Sequence, residues 1–344
     1  MQRIVNGIDA LPSILKELNV GKLFIVKDAS FPFLNIKTQI DEIVHPTVSF
    51  DGFTPNPLYE QVCDGVDLFN AEGCDAILAI GGGSSIDVAK CIKLFCKMDK
   101  RENYLKQEYK HSDIPLIAIP TTAGTGSEST RNAVIYYNNV KQTVAHDCLT
   151  PDFAILEPSV LKTLPLYQKK CTMMDALCQG IESWWSVNHT DESRTYSQKC
   201  IELIRDNWEK YIFENDDEAA SQIMLAANYG GRAISIAQTT AAHAMSYKIT
   251  SIYKFPHGHA VAVCLPEIWE YMLTQPDVEI NPPFSLDYFR GMMTRMEMQN
   301  PVFGDKDAEL EVLSTSVNPV RLKNNPVPLS IDVIRSLYEK IILS

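Results

Sequence analysis

Asp175, His243 and His257 supply the donor set of a divalent-cation site, one carboxylate and two imidazoles. Asp175 stands four residues before Gln179 in MMDALCQGIESWW, so the two share one helix face. His243 and Tyr247 repeat that spacing in AAHAMSY, and His257 follows in PHGHA. Gln179 adds a neutral amide oxygen as a fourth ligand. Spacing alone fits a second reading equally well, because a single histidine is often a satisfied core or surface group.

A different chemistry lies nearer the N-terminus. The apolar run at 76–80 leads straight into GGGSSIDVAK at 81–90. This pattern reads as a buried parallel strand, a glycine turn and a helix start, whose free amides and positive dipole end suit an anion. It is not the G-x-G-x-x-G dinucleotide fingerprint, because Ile86 occupies the third glycine position. Three glycines also occur in plain turns. A second loop, PTTAGTGSE at 120–128, follows the apolar run LIAIP. Its threonine hydroxyls and glycine amides offer partners to phosphates and ribose hydroxyls together. Two such loops at two strand ends favour a nucleotide over two unrelated turns. Asp28 closes the strand pattern FIVKD, where a carboxylate accepts from ribose hydroxyls and disfavours a 2′-phosphate. A solvated turn aspartate is the alternative there, and Lys27 beside it weakens the discrimination.

The elements that position these groups fall into two sets. Strand patterns at 22–26, 76–80 and 116–120 alternate with helical patterns at 58–72 and 87–96. This predicts an α/β domain over 1–160, a parallel sheet with helices on both faces, and ligands at the carboxyl ends of the strands. Helical patterns at 167–186, 192–214, 217–249 and 330–342 predict an all-α domain over 161–344.

Composition excludes several classes. The 344 residues carry a net charge of −12 with no basic stripe, which argues against nucleic acid. No run approaches the roughly 20 apolar residues of a membrane span, and the N-terminus lacks a signal-peptide core. The nine cysteines show no CxxC spacing and are expected to be reduced, in a cytoplasmic protein. The absence of G-x-S-x-G argues against a serine hydrolase.

GGGSSIDVAK, PTTAGTGSE, DALCQGIES and HGHAVAVCLP together resemble the iron-containing (group III) alcohol dehydrogenase family. The resemblance runs to about residue 265 and returns at 321–326. It implies an N-terminal Rossmann-like domain, a helical C-terminal domain, NAD(H) or NADP(H), and Fe²⁺ or Zn²⁺. Matched residue by residue, Gly82, Gly83, Ser84 and Asp87 fall on the pyrophosphate loop. Thr121, Thr122 and Thr125 fall on the nicotinamide side, and Asn56, Val134 and Lys141 on further cofactor positions. Asp175, His243 and His257 match three of four metal ligands; Asn132, Ile234 and Thr239 match positions that face substrate.

Gln179 and Tyr247 depart from the family, which has histidine at both. The first change swaps an imidazole for a weaker amide ligand, and the second leaves a phenol in place of an imidazole proton relay. Both changes, with the ESWWS and HAMSY wording, resemble the branch containing phosphonoacetaldehyde reductases, which form 2-hydroxyethylphosphonate. The expected reaction is NAD(P)H-linked reduction of a small aldehyde to a primary alcohol, with Lewis-acid assistance and a proton from water held by Tyr247. A phosphonate needs a cationic partner, and Arg131 and Arg232 are the candidates. On one straight helix Arg232 would sit about 16 Å from His243, so the helix would have to break near 238–240. Surface salt bridges are the competing reading for both arginines. The resemblance also implies a homodimer, with residues 1–10 as an edge. A dehydroquinate-synthase-like cyclase, which shares the fold but ends as a lyase, is the rival function. A non-catalytic nucleotide-binding protein is a second alternative, and a non-haem iron oxygenase a remote third.

Overall fold

The computed structural model describes residues 2–343 apart from 277 and 279. The chain divides into two units, Met1–Leu164 with Asn215–Met224, and Pro165–Glu214 with Leu225–Ser344. The first runs β1 (Arg3–Asn6), α1 (Leu11–Glu17), β2 (Leu23–Lys27), α2 (Lys37–Asp41), β3 (Thr47–Phe50), α3 (Tyr59–Ala71), β4 (Ala76–Gly81), α4 (Gly83–Phe95), β5 (Leu116–Pro120), β6 (Asn132–Tyr137), β7 (Val140–Ala145) and β8 (Phe153–Leu156).

Six of these strands form a parallel sheet in the order β1-β8-β5-β4-β2-β3. β4 and β5 are buried at every position, as expected for central strands covered on both faces. Phe24, Val26, Ile77 and Ala79 of the sheet pack against Val62, Val66, Ile92 and Phe95 of α3 and α4. Register brings the ligand-type segments to one edge. Lys27 pairs with Ile80, and Gly81 with Pro120, so Asp28, the glycine turn and the threonine loop leave the sheet side by side.

Three expectations need correction here. The strand ending at Asp28 is second in the chain, because β1 is a short edge strand; of the proposed dimer edge 1–10, Met1 lies outside the described residues. α4 begins at Gly83 rather than Asp87, since only Gly82, extended at the N-cap, separates it from β4. β6 and β7 form an antiparallel hairpin that the alternation did not reveal. Its turn is Asn138-Asn139, both left-handed at φ 51° and 60°, a conformation asparagine tolerates better than most residues.

The second unit is helical: α5 (Leu166–Trp185), α6 (Asp191–Glu209), α7 (Asp217–Ala237), α8 (Ala241–Tyr253), α9 (His257–Leu273), α10 (Leu286–Arg295), α11 (Lys306–Thr315), α12 (Pro319–Leu322) and α13 (Ile331–Ile341). The first turns of α7 group with the first unit. The single helix expected over 217–249 is two, broken at 238–240, where Gln238 adopts φ 62°. α9 escaped the periodicity because residues 258–266 are buried on every side and Pro266 lies inside it. No helix among the described residues is long and apolar enough to cross a membrane.

Candidate metal centre and nucleotide loops

The two nucleotide loops lie against each other. The Thr121 amide donates to the Gly81 carbonyl at 3.0 Å, tying the end of β5 to the end of β4. A Cβ at Gly83 would lie 3.0 Å from Thr125 Cγ2, and one at Gly82 would lie 3.7 Å from Thr122 Oγ1. At Gly81, φ is +150° and a Cβ would lie 2.1 Å from Ser85 Oγ and 2.5 Å from Asp28 Oδ2. Glycine is therefore required at 81 by the chain itself, whereas Gly82 and Gly83 leave the first amides of α4 uncovered by any side-chain cap. That cradle fits a pyrophosphate. Asp28 accepts from the Ser30 amide at 2.9 Å and from Ser85 Oγ at 2.8 Å, which fixes its carboxylate at the edge of the cradle. The Asn56 amide donates to Ser84 Oγ at 3.4 Å.

Behind the cradle, Asp87 and Lys90 hold the second loop in place. Asp87 accepts from Ser127 Oγ at 2.6 Å and from the Val134 amide at 3.0 Å. Lys90 is fully buried and donates to Ser127 Oγ, Thr130 Oγ1 and the Asn132 carbonyl at 3.2, 2.9 and 2.7 Å. Burial pushes Lys90 down to about 8 and raises the Asp87 carboxyl above its usual range. Asp87, matched to the cofactor loop, has both oxygens engaged by the protein, as are the Val134 amide and the Asn132 carbonyl. Lys141 lies near enough to favour the charged form of Asp87. Sequence reasoning passed over Lys90, although a lysine three residues after an aspartate and among the apolar residues of that helix was the available signal.

The expected metal ligands of the second unit do converge. Ligand atoms of Asp175 on α5, His243 on α8 and His257 at the start of α9 all lie within 4.8 Å of one another. Asp175 Oδ1 is 3.4 Å from His243 Nε2 and 3.9 Å from His257 Nε2. Asp175 and His243 are buried, while the His257 side chain is 39% exposed and gives the cluster an open side. Gly258 makes the approach possible, because a Cβ there would lie 1.9 Å from the Cys171 carbonyl of α5. Gln179 turns its amide nitrogen, at 3.4 Å, toward Asp175 Oδ2. The Tyr247 ring stacks on His257 with centroids 5.8 Å apart. His259, two residues on, is a packed core group, bonded to Tyr167 Oη and the Gln299 carbonyl.

Glu182, absent from the sequence expectations, organises this cluster. It is fully buried on α5. Its Oε1 accepts from Thr240 Oγ1 at 2.7 Å and from the amides of Thr240, Ala242 and His243 at 3.1, 2.9 and 3.3 Å. This carboxylate caps α8 and is the physical reason the 217–249 pattern breaks. Its Oε2 pairs with His243 Nδ1. That bond places a proton on Nδ1 and aims the buried Nε2 at Asp175 Oδ1, 3.4 Å away. Two ligand atoms in that position repel unless a proton or a metal cation lies between them. Burial disfavours the charged imidazole, yet Glu182 and Asp175 outweigh it and raise His243 to about 10. The donor set thus fits a divalent cation, which would replace that proton. Asp175, Gln179 and Glu182 follow an i, i+4, i+7 pattern, which is how sequence alone would have found the third.

The arginines sit elsewhere than expected. Arg131 pairs with Asp147 on the surface at 2.8 Å. Arg232 lies over the Tyr196 ring and donates to Asn228 Oδ1 at 3.1 Å. Ile234 is half-buried on α7, and Thr239 is buried in the break before α8.

Residues 2–158 match the family model for iron-containing alcohol dehydrogenase, and residues 170–306 match the C-terminal model of the same family. The NAD-dependent methanol dehydrogenase of Bacillus methanolicus is 31% identical over 75% of this chain and 70% of its own length. The probable alcohol dehydrogenase EutG of Escherichia coli is 35% identical over 62% of this chain and 56% of its own, so the match spans little more than half of that relative. Among solved structures, the iron-containing alcohol dehydrogenase of Thermococcus thioreducens superposes with a TM-score of 0.89 at 24% identity, covering 99% of this chain and 98% of its own. The NAD⁺ complex of sulfoacetaldehyde reductase from Bifidobacterium kashiwanohense gives 0.87 at 24% identity, over 99% and 96%. A parallel-sheet unit, a helical unit and matches to both family models place this chain in the iron-containing alcohol dehydrogenase family.

Proposed function

We propose that the protein reduces a small aldehyde to a primary alcohol at the expense of NAD(P)H, with iron or zinc held by Asp175, His243 and His257. The observation that carries this reading is the buried His243 Nε2 aimed at Asp175 Oδ1 beside a half-exposed His257, a cation site with an open side. A divalent ion supplies Lewis-acid polarisation of an aldehyde oxygen, and a nicotinamide dinucleotide supplies the hydride.

The chain's own residues do the rest. The first amides of α4, at Gly83 and Ser84, bind the pyrophosphate, and Thr121, Thr122 and Thr125 orient the nicotinamide end. Asp28 accepts from the adenosine ribose and favours NADH over NADPH. Glu182 fixes the His243 tautomer, Gln179 steadies Asp175, and Tyr247 Oη relays a proton from water to the new alcohol oxygen. The narrower substrate reading is phosphonoacetaldehyde, supported by the ESWWS and HAMSY wording and the Gln179 and Tyr247 departures. The proposal extends to a cytoplasmic homodimer paired along the edge strand β1.

The test is a panel of aldehydes that includes phosphonoacetaldehyde, followed by loss of NADH or NADPH absorbance with iron or zinc added. Stoichiometric consumption of reduced cofactor is expected. A cyclase would regenerate its cofactor, so product without net consumption would overturn the proposal.

A further inference from the structure

We infer that Arg321, rather than Arg131 or Arg232, is the cation that recognises an oxyanion group on the substrate, so that the preferred aldehydes are acidic. The inference rests on the reading of this protein as an aldehyde reductase and adds the residue that selects the substrate class.

Arg131 is neutralised by Asp147 on the surface, and Arg232 faces the Tyr196 ring. Arg321, half-buried on α12, differs from both. Among the described residues no carboxylate lies within ion-pair distance of it, and its recorded side-chain contact is a 3.0 Å hydrogen bond from Nη1 to Thr239 Oγ1. In a chain of net charge −12, a half-buried guanidinium without a carboxylate partner is a group whose counter-ion comes from outside.

Its place is fixed by structure. Thr239 is buried and stands four residues before His243, so the two Cα atoms are at most about 14 Å apart even in an extended chain. The helix break that holds Thr239 is clamped by Asn324, three residues after Arg321 and just beyond α12. Asn324 Nδ2 donates to the Gln238 side chain at 3.2 Å and to the Thr239 carbonyl at 3.0 Å. The guanidinium is therefore held on the segment that leads into the His243 helix, with four N–H groups beyond the one given to Thr239. That fork matches the oxygens of a sulfonate or phosphonate on a short aldehyde.

The test compares sulfoacetaldehyde and phosphonoacetaldehyde with propanal in the metal-loaded enzyme, before and after Arg321→Met and Arg321→Lys. For Arg321→Met the ratio of kcat/KM on an acidic aldehyde to that on propanal should fall by about 10- to 100-fold, chiefly through KM, the size of a lost charge-assisted hydrogen-bonded contact. Arg321→Lys should fall less, because it keeps the charge. The better of the two acids in the wild type identifies the oxyanion. A ratio within about threefold of wild type in Arg321→Met, or a wild type that favours propanal, would overturn the inference; a merely structural role lowers both substrates together. If the wild type consumes no NAD(P)H with any aldehyde, the reductase reading fails first. Thermal stabilisation by ethylphosphonate or ethanesulfonate then decides: stabilisation lost in Arg321→Met upholds the anion site, and equal or absent stabilisation overturns it. Should Arg321→Met not fold, Arg321→Gln and Arg321→Lys carry the same comparisons.

Discussion

The nucleotide loops and the metal cluster use polar side chains in opposite ways. In the loops, Asp87, Lys90, Ser127 and Thr130 turn toward one another and Asp28 toward Ser85, and the phosphate cradle they brace is backbone: the uncovered amides after Gly82. In the cluster the Glu182 side chain takes up the first amides of the His243 helix, and side chains from three helices bring ligand atoms together. A glycine loop is thus a shape made rigid from behind, whereas the cluster is a charge arrangement that calls for a cation. The two should fail differently when altered.

The largest effect is expected from Asp175→Ala or His243→Ala. Either removes a donor and should abolish stoichiometric metal and lower kcat by about a thousandfold or more, since Lewis-acid stabilisation is worth several kcal/mol. Metal analysis beside steady-state assays checks it. Next is Glu182→Gln, which keeps the shape but removes the charge behind His243. Metal affinity should weaken about 10- to 100-fold, as for other carboxylates that orient a ligating imidazole, and competition with a chelator would show it.

Two glycines sharpen the contrast further. Gly258→Ala drives a Cβ into the Cys171 carbonyl and should cost about 3 kcal/mol or more of stability in denaturant titration. Gly83→Ala meets the Thr125 side chain at 3.0 to 3.4 Å and no backbone. It should leave stability within about 1 kcal/mol and raise KM for NADH about tenfold, because it crowds the amides that receive the phosphates.

The smallest effect concerns Lys90. Burial lowers it to about 8, below its ordinary 10.5, so between those values the unfolded chain holds more protons than the folded one. Stability contributed by this group therefore rises with pH across that window. Lys90→Met should flatten the rise, measured by urea unfolding at pH 8 and pH 10.

What was legible in the sequence follows the same division. Central strands β2, β4 and β5 were readable because burial on both faces leaves continuous apolar runs, and Asp175, His243 and His257 because few residue types bind metal. β1 and β3 were not, being short edge strands with exposed positions. The hairpin was readable in principle from Asn138-Asn139. The break at 238–240 was raised only as a condition on the reach of Arg232; its cause, Glu182, lies more than fifty residues away, and no local propensity reports a distant cap. The glycines were read as one motif, yet Gly81 answers to Asp28 and Ser85 inside the protein, while Gly82 and Gly83 leave room for a ligand. The arginines were chosen for nearness in sequence to the motifs; Arg321 lies some eighty residues beyond Thr239 and only the fold joins them.

The most direct test is metal content after reconstitution with Fe²⁺ or Zn²⁺, measured with NADH-linked aldehyde reduction on the same samples of wild type and His243→Ala. About one equivalent bound and active in the wild type, with neither in the variant, is the predicted result. A wild type that takes up no metal and still reduces aldehydes at full rate would contradict it.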